Sequence, residues 1–301
     1  MSTPLTLLSV GISIVYFNGW HKLRVHPGGS IPLWRSICFP FGLLLIWLAT
    51  SSPLAMLDDE LLTAHMVQHL LLMSVAPFLI LLSRPTMPLL HGLPVGFVRN
   101  VVGPVSRTRF VHYISSLWGR PVFCWIVSIS VLLLWHVPFV FNAALKFEPL
   151  HMIEHGSFLG VGFLFWSPLL RSHTSNESRT WSLVLYLFLA TLPCDILSGF
   201  LVFCDRVVYS AYLTRQRFSH WSALDDQQCA GALMWTSITI LYLLPAAALT
   251  IRLLGAKESS SEDVFDPGAN APELLGADRH PRSGADRPSF RSVGVVLHDQ
   301  P

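Results

Sequence analysis

The sequence predicts an all-α protein, a polytopic membrane helix bundle of about seven transmembrane helices with its N-terminus outside and its C-terminus in the cytoplasm. Three observations carry that prediction. Hydrophobic residues make up 52% of the 301 residues and charged residues only 13%, about half the charge of a soluble domain, and mean hydropathy is +0.52. Apolar stretches of about 20 residues, long enough to cross the hydrocarbon core, recur along the chain. Finally, lysine and arginine are segregated between alternate loops, as the positive-inside bias requires.

The spans are predicted near 4–18, 31–50, 61–83, 121–142, 151–170, 181–204 and 229–254. The first is short, but no basic region precedes it, and Lys22 and Arg24 follow it. That pattern fits an uncleaved anchor rather than a secretory signal. Positive residues at 22, 24 and 35, at 84, 99, 107, 109 and 120, at 171 and 179, and at 252, 257, 279, 282, 287 and 291 fall on one side, sixteen of the 20. Lys146, Arg206, Arg215 and Arg217 fall on the other, together with the cation-free segment Asp58, Asp59 and Glu60. The long connection 84–120, with Pro85, Pro88, Pro94 and Pro104, is expected to lie partly along the cytoplasmic surface. Residues 1–255 therefore form a seven-helix transmembrane domain. From 256 the composition shifts to Ser, Asp, Pro, Gly, Ala and Arg, which cannot bury a core, so 256–301 is expected to be a disordered cytoplasmic tail. The bilayer is the expected solvent. No basic stripe interleaved with aromatics is present, which excludes nucleic acid as a partner.

Histidines break the apolar pattern in a directed way. HMVQH, residues 65–69, enters the third span from outside, and its i, i+4 spacing puts two imidazoles on one helical face, about 6 Å apart along the axis. LLLWHVP sets His136 before the outer end of the fourth span, and HMIEH opens the fifth with a second pair, His151 and His155. The seventh span follows LDDQQ, residues 224–228. Five imidazoles and an acidic patch thus fall at one depth near the outer leaflet. A lone histidine at a helix end, such as His136, is equally well a hydrogen-bonded interfacial side chain. Two pairs inside spans are harder to explain so, because polar groups in a membrane are costly and face a cavity or a partner.

Neutral imidazole suits copper, zinc and haem iron, and thioether suits Cu(I). The candidate metal ligands are His65, His69, His136, His151 and His155. Further candidate ligands or orienting partners are Met73, one turn beyond His69, and Gln68, Glu154, Asp225, Asp226 and Gln227. Met66 and Met152 each follow a histidine directly and point about 100° away from it, and Met234 is too deep to place. Cys204 and Cys229 lie near outer helix ends as a disulfide, as soft ligands or, by default, as inert thiols. The segment HMIEH also has the H-x-x-E-H form of some zinc peptidases, in which the glutamate activates water. The parallel segment HMVQH carries Gln68 at that place, and Glu154 could equally orient an imidazole.

Four segments in this order, HMVQHLLLMSVAPFLILLSRP, WHVPFVFNAAL, HMIEHGSFLGVGFLFWSPL and DDQQCAGALMW, resemble the multispanning CtaG family of cytochrome c oxidase assembly factors, associated with caa-type oxidases. The resemblance covers about residues 30–254. The matching positions are His65, Gln68, His69, Pro77, Trp135, His136, Pro138, His151, His155, Trp166, Pro168, Asp226, Gln227, Gly231 and Trp235. It implies a non-enzymatic factor of the bacterial cytoplasmic membrane that matures haem–copper oxidase. The partners it implies are oxidase subunits and, for a supplier of copper, a periplasmic copper carrier. Three readings of other classes compete: a scaffold whose histidines are hydrogen-bonding glue, a haem protein with axial histidines, and an intramembrane zinc peptidase.

Overall fold

The structure is a computed structural model that describes residues 2–25, 31–52, 54–171, 177–213 and 222–264. Among these there is no strand. Seven long helices organise the chain: α1 (Ser2–Val25), α2 (Leu33–Ser51), α3 (Leu62–Leu82), α4 (Pro121–Trp135), α5 (Glu148–Arg171), α6 (Glu177–Phe203) and α7 (Ala223–Val264). The chain divides into Met1–Ala256 and Lys257–Pro301. The tail expected from 256 is described only to Val264, within α7, and its remainder lies outside the described residues.

Among the described residues, four segments are long and apolar enough to cross a bilayer: Leu33–Leu57, Leu62–Leu82, Ser178–Phe203 and Ala223–Gly255. A fifth arises if helix Arg109–Trp118 and α4, bent by 84° at their junction, count together. The helix α5 has 24 residues but opens with Glu148, His151, Glu154 and His155, which dilute its apolarity. These helices make the chain a multi-pass membrane protein.

One connection gains structure and one expected span changes. The connection 84–120 is a series of short helices, Thr86–Gly92, Val95–Ser106 with a π turn at Val98–Val102, and Arg109–Trp118. Pro85, Pro88 and Pro94 stand at or before first helical turns, where proline is tolerated, and Pro104 stands just after the π turn. The fourth span, expected over 121–142, is broken. α4 stops at Trp135, and Pro138–Ala144 resumes as a separate helix. Steric conflict with Pro138 drives the preceding residue out of the helical region, and Val137 is extended at φ −63°, ψ 123°.

Packing sets α3 between α2 and α5. A large core gathers Trp166, Phe165, Tyr186 and Tyr242 with Leu72, Phe158 and Leu187, and Phe165 stacks on both Tyr186 (4.9 Å) and Tyr242 (4.8 Å). A smaller one joins α1, α2 and α3 through Tyr16, Trp20, Phe39 and Ile80. α5 meets α3 backbone to backbone, since a Cβ on Gly162 would collide with the Met73 carbonyl oxygen. Small residues permit such close approach between membrane helices. Ser128 of α4 donates to Val161 O (3.3 Å), and Trp135 Nε1 to Ser157 Oγ (2.7 Å), so α4 is pinned to the other flank of α5.

A sign reversal along one helix tests this packing. Gly162→Ala should destabilise the protein by about 1–3 kcal/mol through overpacking. Gly156 and Gly160 have nothing within 4 Å of an added Cβ, so alanine there should stabilise by roughly 0.5–1 kcal/mol through helix propensity. Thermal unfolding of the three variants in detergent measures the difference.

Candidate metal centre

The position of the first histidine pair is set from 160 residues away in sequence. α3 begins after Leu61, whose extended backbone (φ −126°, ψ 122°) brings no capping side chain of its own. Asp226, from the first turn of α7, takes that role. Its Oδ2 accepts from Leu62 N at 2.7 Å, and its Oδ1 accepts from Thr63 N at 3.1 Å and Thr63 Oγ1 at 2.7 Å. The carboxylate satisfies two of the helix's orphan N–H groups at the positive end of its dipole. This cap fixes where α3 starts and so places His65 and His69 in its first two turns.

The neighbouring residues are committed in the same way. Gln227 Oε1 accepts from Val208 N (2.7 Å), while its Nε2 donates to Leu201 O (3.3 Å) and Arg206 O (3.1 Å). Asp225 Oδ2 accepts from Ser222 N and Oγ. Gln68 Nε2 donates to Leu54 O at 3.3 Å. Asp226 and Gln227 therefore clamp the α3 and α6 ends, and among the described residues neither Asp225 nor Asp226 falls in the carboxylate–imidazole groups below.

The five imidazoles come together. Ring centroids are 4.2 Å apart for His65 and His69, 5.4 Å for His65 and His151, and 4.2 Å for His151 and His155. His69 lies 5.7 Å from His155 and 6.1 Å from His136. Phe141 and Phe158 close the cluster against His65 and His69, at 4.9 and 4.3 Å.

Two carboxylates complete two three-residue groups whose donor atoms lie within 4.8 Å of one another: Asp58, His65 and His151, and His65, His69 and Glu154. His65 belongs to both. Glu154 Oε1 is 3.8 Å from His65 Nε2 and 3.4 Å from His69 Nε2, and Asp58 Oδ2 is 3.6 Å from His151 Nε2. Ligands bound at 2.0–2.2 Å around one tetrahedral ion stand about 3.3–3.5 Å apart, so small side-chain shifts would close either group on an ion. The groups differ in access. The His151 side chain is 23% exposed, whereas His65 and Glu154 are fully buried.

The inner group fits a metal for a second reason. Both nitrogens of His69, both oxygens of Glu154, and Nε2 of His136 and His155 are buried with no hydrogen bond inside the protein. Each such group costs about 1–3 kcal/mol when left unsatisfied, a large share of a total stability of about 5–15 kcal/mol. His136 is aimed as well as buried. Its Nδ1 lies 2.8 Å from Leu132 O, and a carbonyl only accepts, so Nδ1 carries the proton and Nε2 presents its lone pair. Tyr209 Oη donates to His136 O (3.2 Å) and Tyr212 Oη to Asp58 O (2.9 Å), bracing both from the α6–α7 connection.

Asp58 was not among the sequence candidates. In the sequence, the segment Asp58–Glu60 signalled only a loop lacking cations. An acidic residue seven positions before His65 was the available clue, but it became meaningful only once α5 brought His151 alongside. Met73 lines a cavity with His69, whereas Met152 is 58% exposed. Cys204 and Cys229 are both free thiols.

An imidazole–carboxylate cluster buried between the helices of a multi-pass membrane protein is the class that fold and site define. Over residues 14–256 the chain matches the family described as cytochrome c oxidase caa3 assembly factor (Caa3_CtaG), and it belongs to that family. Neither a curated protein nor a solved structure matches the chain.

The cap predicts an effect at a distance. Asp226→Ala should lower stability by about 1–2 kcal/mol, the upper range for an N-cap, with amide protection lost first at Leu62 and Thr63. Asp226→Asn, which keeps an accepting oxygen, should recover a substantial part. Hydrogen exchange read by mass spectrometry distinguishes this local fraying from a general loss of fold.

Proposed function

We propose that this assembly factor matures haem–copper oxidase by taking up copper at the outer face of the bacterial cytoplasmic membrane and holding it for release to an oxidase subunit. The observation that carries this reading is the pair of ligand groups sharing His65, one partly exposed through His151 and one fully buried around Glu154. Such a site can receive an ion from a periplasmic carrier at Asp58 and His151 and pass it inward by exchanging ligands on the common imidazole. Imidazole and carboxylate hold copper without the closed thiolate cage that would retain it. The copper here is cargo, and the chain's own work is to bind it, dehydrate it and present it at membrane depth.

The topology of this reading is seven crossings, N-terminus outside and C-terminus cytoplasmic. It is supported by the ends that meet at the site. The starts of α3, α5 and α7 and the end of α4 are all there, as antiparallel alternation requires. Arg109–Trp118, set at 84° to α4, would then lie along the cytoplasmic surface. The bilayer's hydrocarbon also supplies sideways access to an oxidase subunit.

The peptidase reading draws less support. In an H-x-x-E-H site both histidines of the motif bind one zinc ion. Here His151 is grouped with Asp58, and Glu154 stands at ligand distance from the other helix's histidines, His65 and His69. A haem macrocycle also finds little room, because the cavity beside His69 and His136 has a volume of about 20 Å³, space for about one water molecule.

Purified protein should therefore bind copper under reducing conditions. The His65→Ala/His69→Ala variant should lose at least 10-fold in affinity, and cells carrying it should accumulate oxidase deficient in copper. Metal analysis of purified protein and oxidase activity of membranes test this together. Wild type free of copper, or full oxidase assembly with the double variant, would refute it.

A further inference from the structure

Beside His69, along its own helical face, the donor chemistry changes from oxygen and nitrogen to sulfur. The narrow cavity between α3, α4, α5, α6 and α7 is lined by His69 and His136 and by Met66, Met73, Met234 and Cys194. All four sulfur-bearing side chains are buried, from 0% exposure at Met66 to 6% at Met73. Three helices contribute them. On α3, Met66, His69 and Met73 are related by three, four and seven residues and so share one face. Met66 points away from His65, its immediate neighbour, and lines the cavity together with His69. Met234 of α7, too deep to place from sequence, faces the same space.

Two features distinguish this cavity from ordinary core. Met73 sits in a π turn, Leu71–Val75, and π turns inside α-helices recur at functional sites. Two of its lining residues also carry unsatisfied polar atoms: Nε2 of His136 and the ring nitrogens of His69 are buried without a hydrogen bond. The volume, about 20 Å³, suits one small ion or one water molecule.

We infer that this cavity is an inner binding station for Cu(I), built from the thioethers of Met66, Met73 and Met234 together with His69 and His136. The inference rests on the copper-handling reading of the outer cluster and deepens it by naming the valence and the inward step. Thioether sulfur is a soft donor that selects Cu(I) over zinc, magnesium and Cu(II). An ion passing from Asp58 and His151, through His65, Glu154 and His69, to the methionines meets progressively softer ligands. That gradient favours inward movement of Cu(I) without any change of oxidation state: each metal–oxygen or metal–nitrogen bond that breaks is replaced by a metal–sulfur bond, and no electron is transferred. Neutral thioethers also leave the ion's charge uncompensated at depth, which keeps the station a point of transit.

The test is copper-edge X-ray absorption fine structure on the full-length protein in detergent, loaded anaerobically with Cu(I). Wild type should show a sulfur shell beside nitrogen or oxygen, and selenomethionine-substituted wild type should show copper–selenium scattering. Met66→Leu/Met73→Leu/Met234→Leu, which conserves core volume, should lose that shell while still binding copper through nitrogen and oxygen. Because the selenium label leaves the wild-type side chains in place, poor folding of the triple variant would not spare the inference. Copper bound through nitrogen and oxygen alone in wild type would overturn the inner station and leave the outer reading standing. A selenium shell that survives the triple substitution would overturn the assignment to these methionines. Absence of copper altogether would overturn both.

Discussion

Glu154 is fully buried, with His65 Nε2 and His69 Nε2 at 3.8 and 3.4 Å and no hydrogen bond to either oxygen. An isolated carboxylate at membrane depth is expensive unless it is paired or bound to a metal. Every other feature of the site relates to placing this group against the α3 histidines. Gly162 lets α5 approach α3 closely, the π turn shapes the α3 backbone where they meet, and Asp226 fixes where α3 begins. Remove the close contact and the two pairs become separate polar patches on separate helices. With it, they form two ligand groups linked by one shared imidazole.

Two acidic residues near the helix ends at the site illustrate how similar side chains take different work. Asp226 is spent on the start of α3: its carboxylate oxygens accept three hydrogen bonds from Leu62 and Thr63. Asp58 instead stands 3.6 Å from His151 Nε2, while its own carbonyl is held by Tyr212. One carboxylate builds the helix that carries the histidines, and the other stands at the accessible edge of the cluster. Bracing by Tyr209 and Tyr212 ties ligand position to the α6–α7 connection.

Much of this was legible in the sequence, and the failures have physical reasons. The two i, i+4 pairs and the motif order pointed to α3 and α5, because helical periodicity is local and strong in apolar segments. The positions of seven long helices followed from the same signal, although α1 and α5 are less apolar than a simple span. The break at His136–Val137 followed from Pro138 and could have been read from steric rules alone. Asp58 could not, since its partner His151 lies 93 positions away and only the packing of α5 brings them together. Met66 points away from His65, and its place in the cavity beside His69 shows only when residues three and seven apart are compared. Asp226 and Gln227 stand in a recurring motif, and spacing does not reveal whether a buried acid or amide serves backbone or ligand.

The central claim is that one ion is held where His65, His69 and Glu154 meet. Anomalous diffraction at the copper edge from crystals of the copper-loaded protein tests it most directly. A peak within about 2.0–2.3 Å of His69 Nε2 and a Glu154 oxygen, the range of metal–nitrogen and metal–oxygen bonds, is the predicted result. A copper peak confined to surface histidines such as His91 or His112, with Glu154 and His69 unchanged and dry, would contradict it.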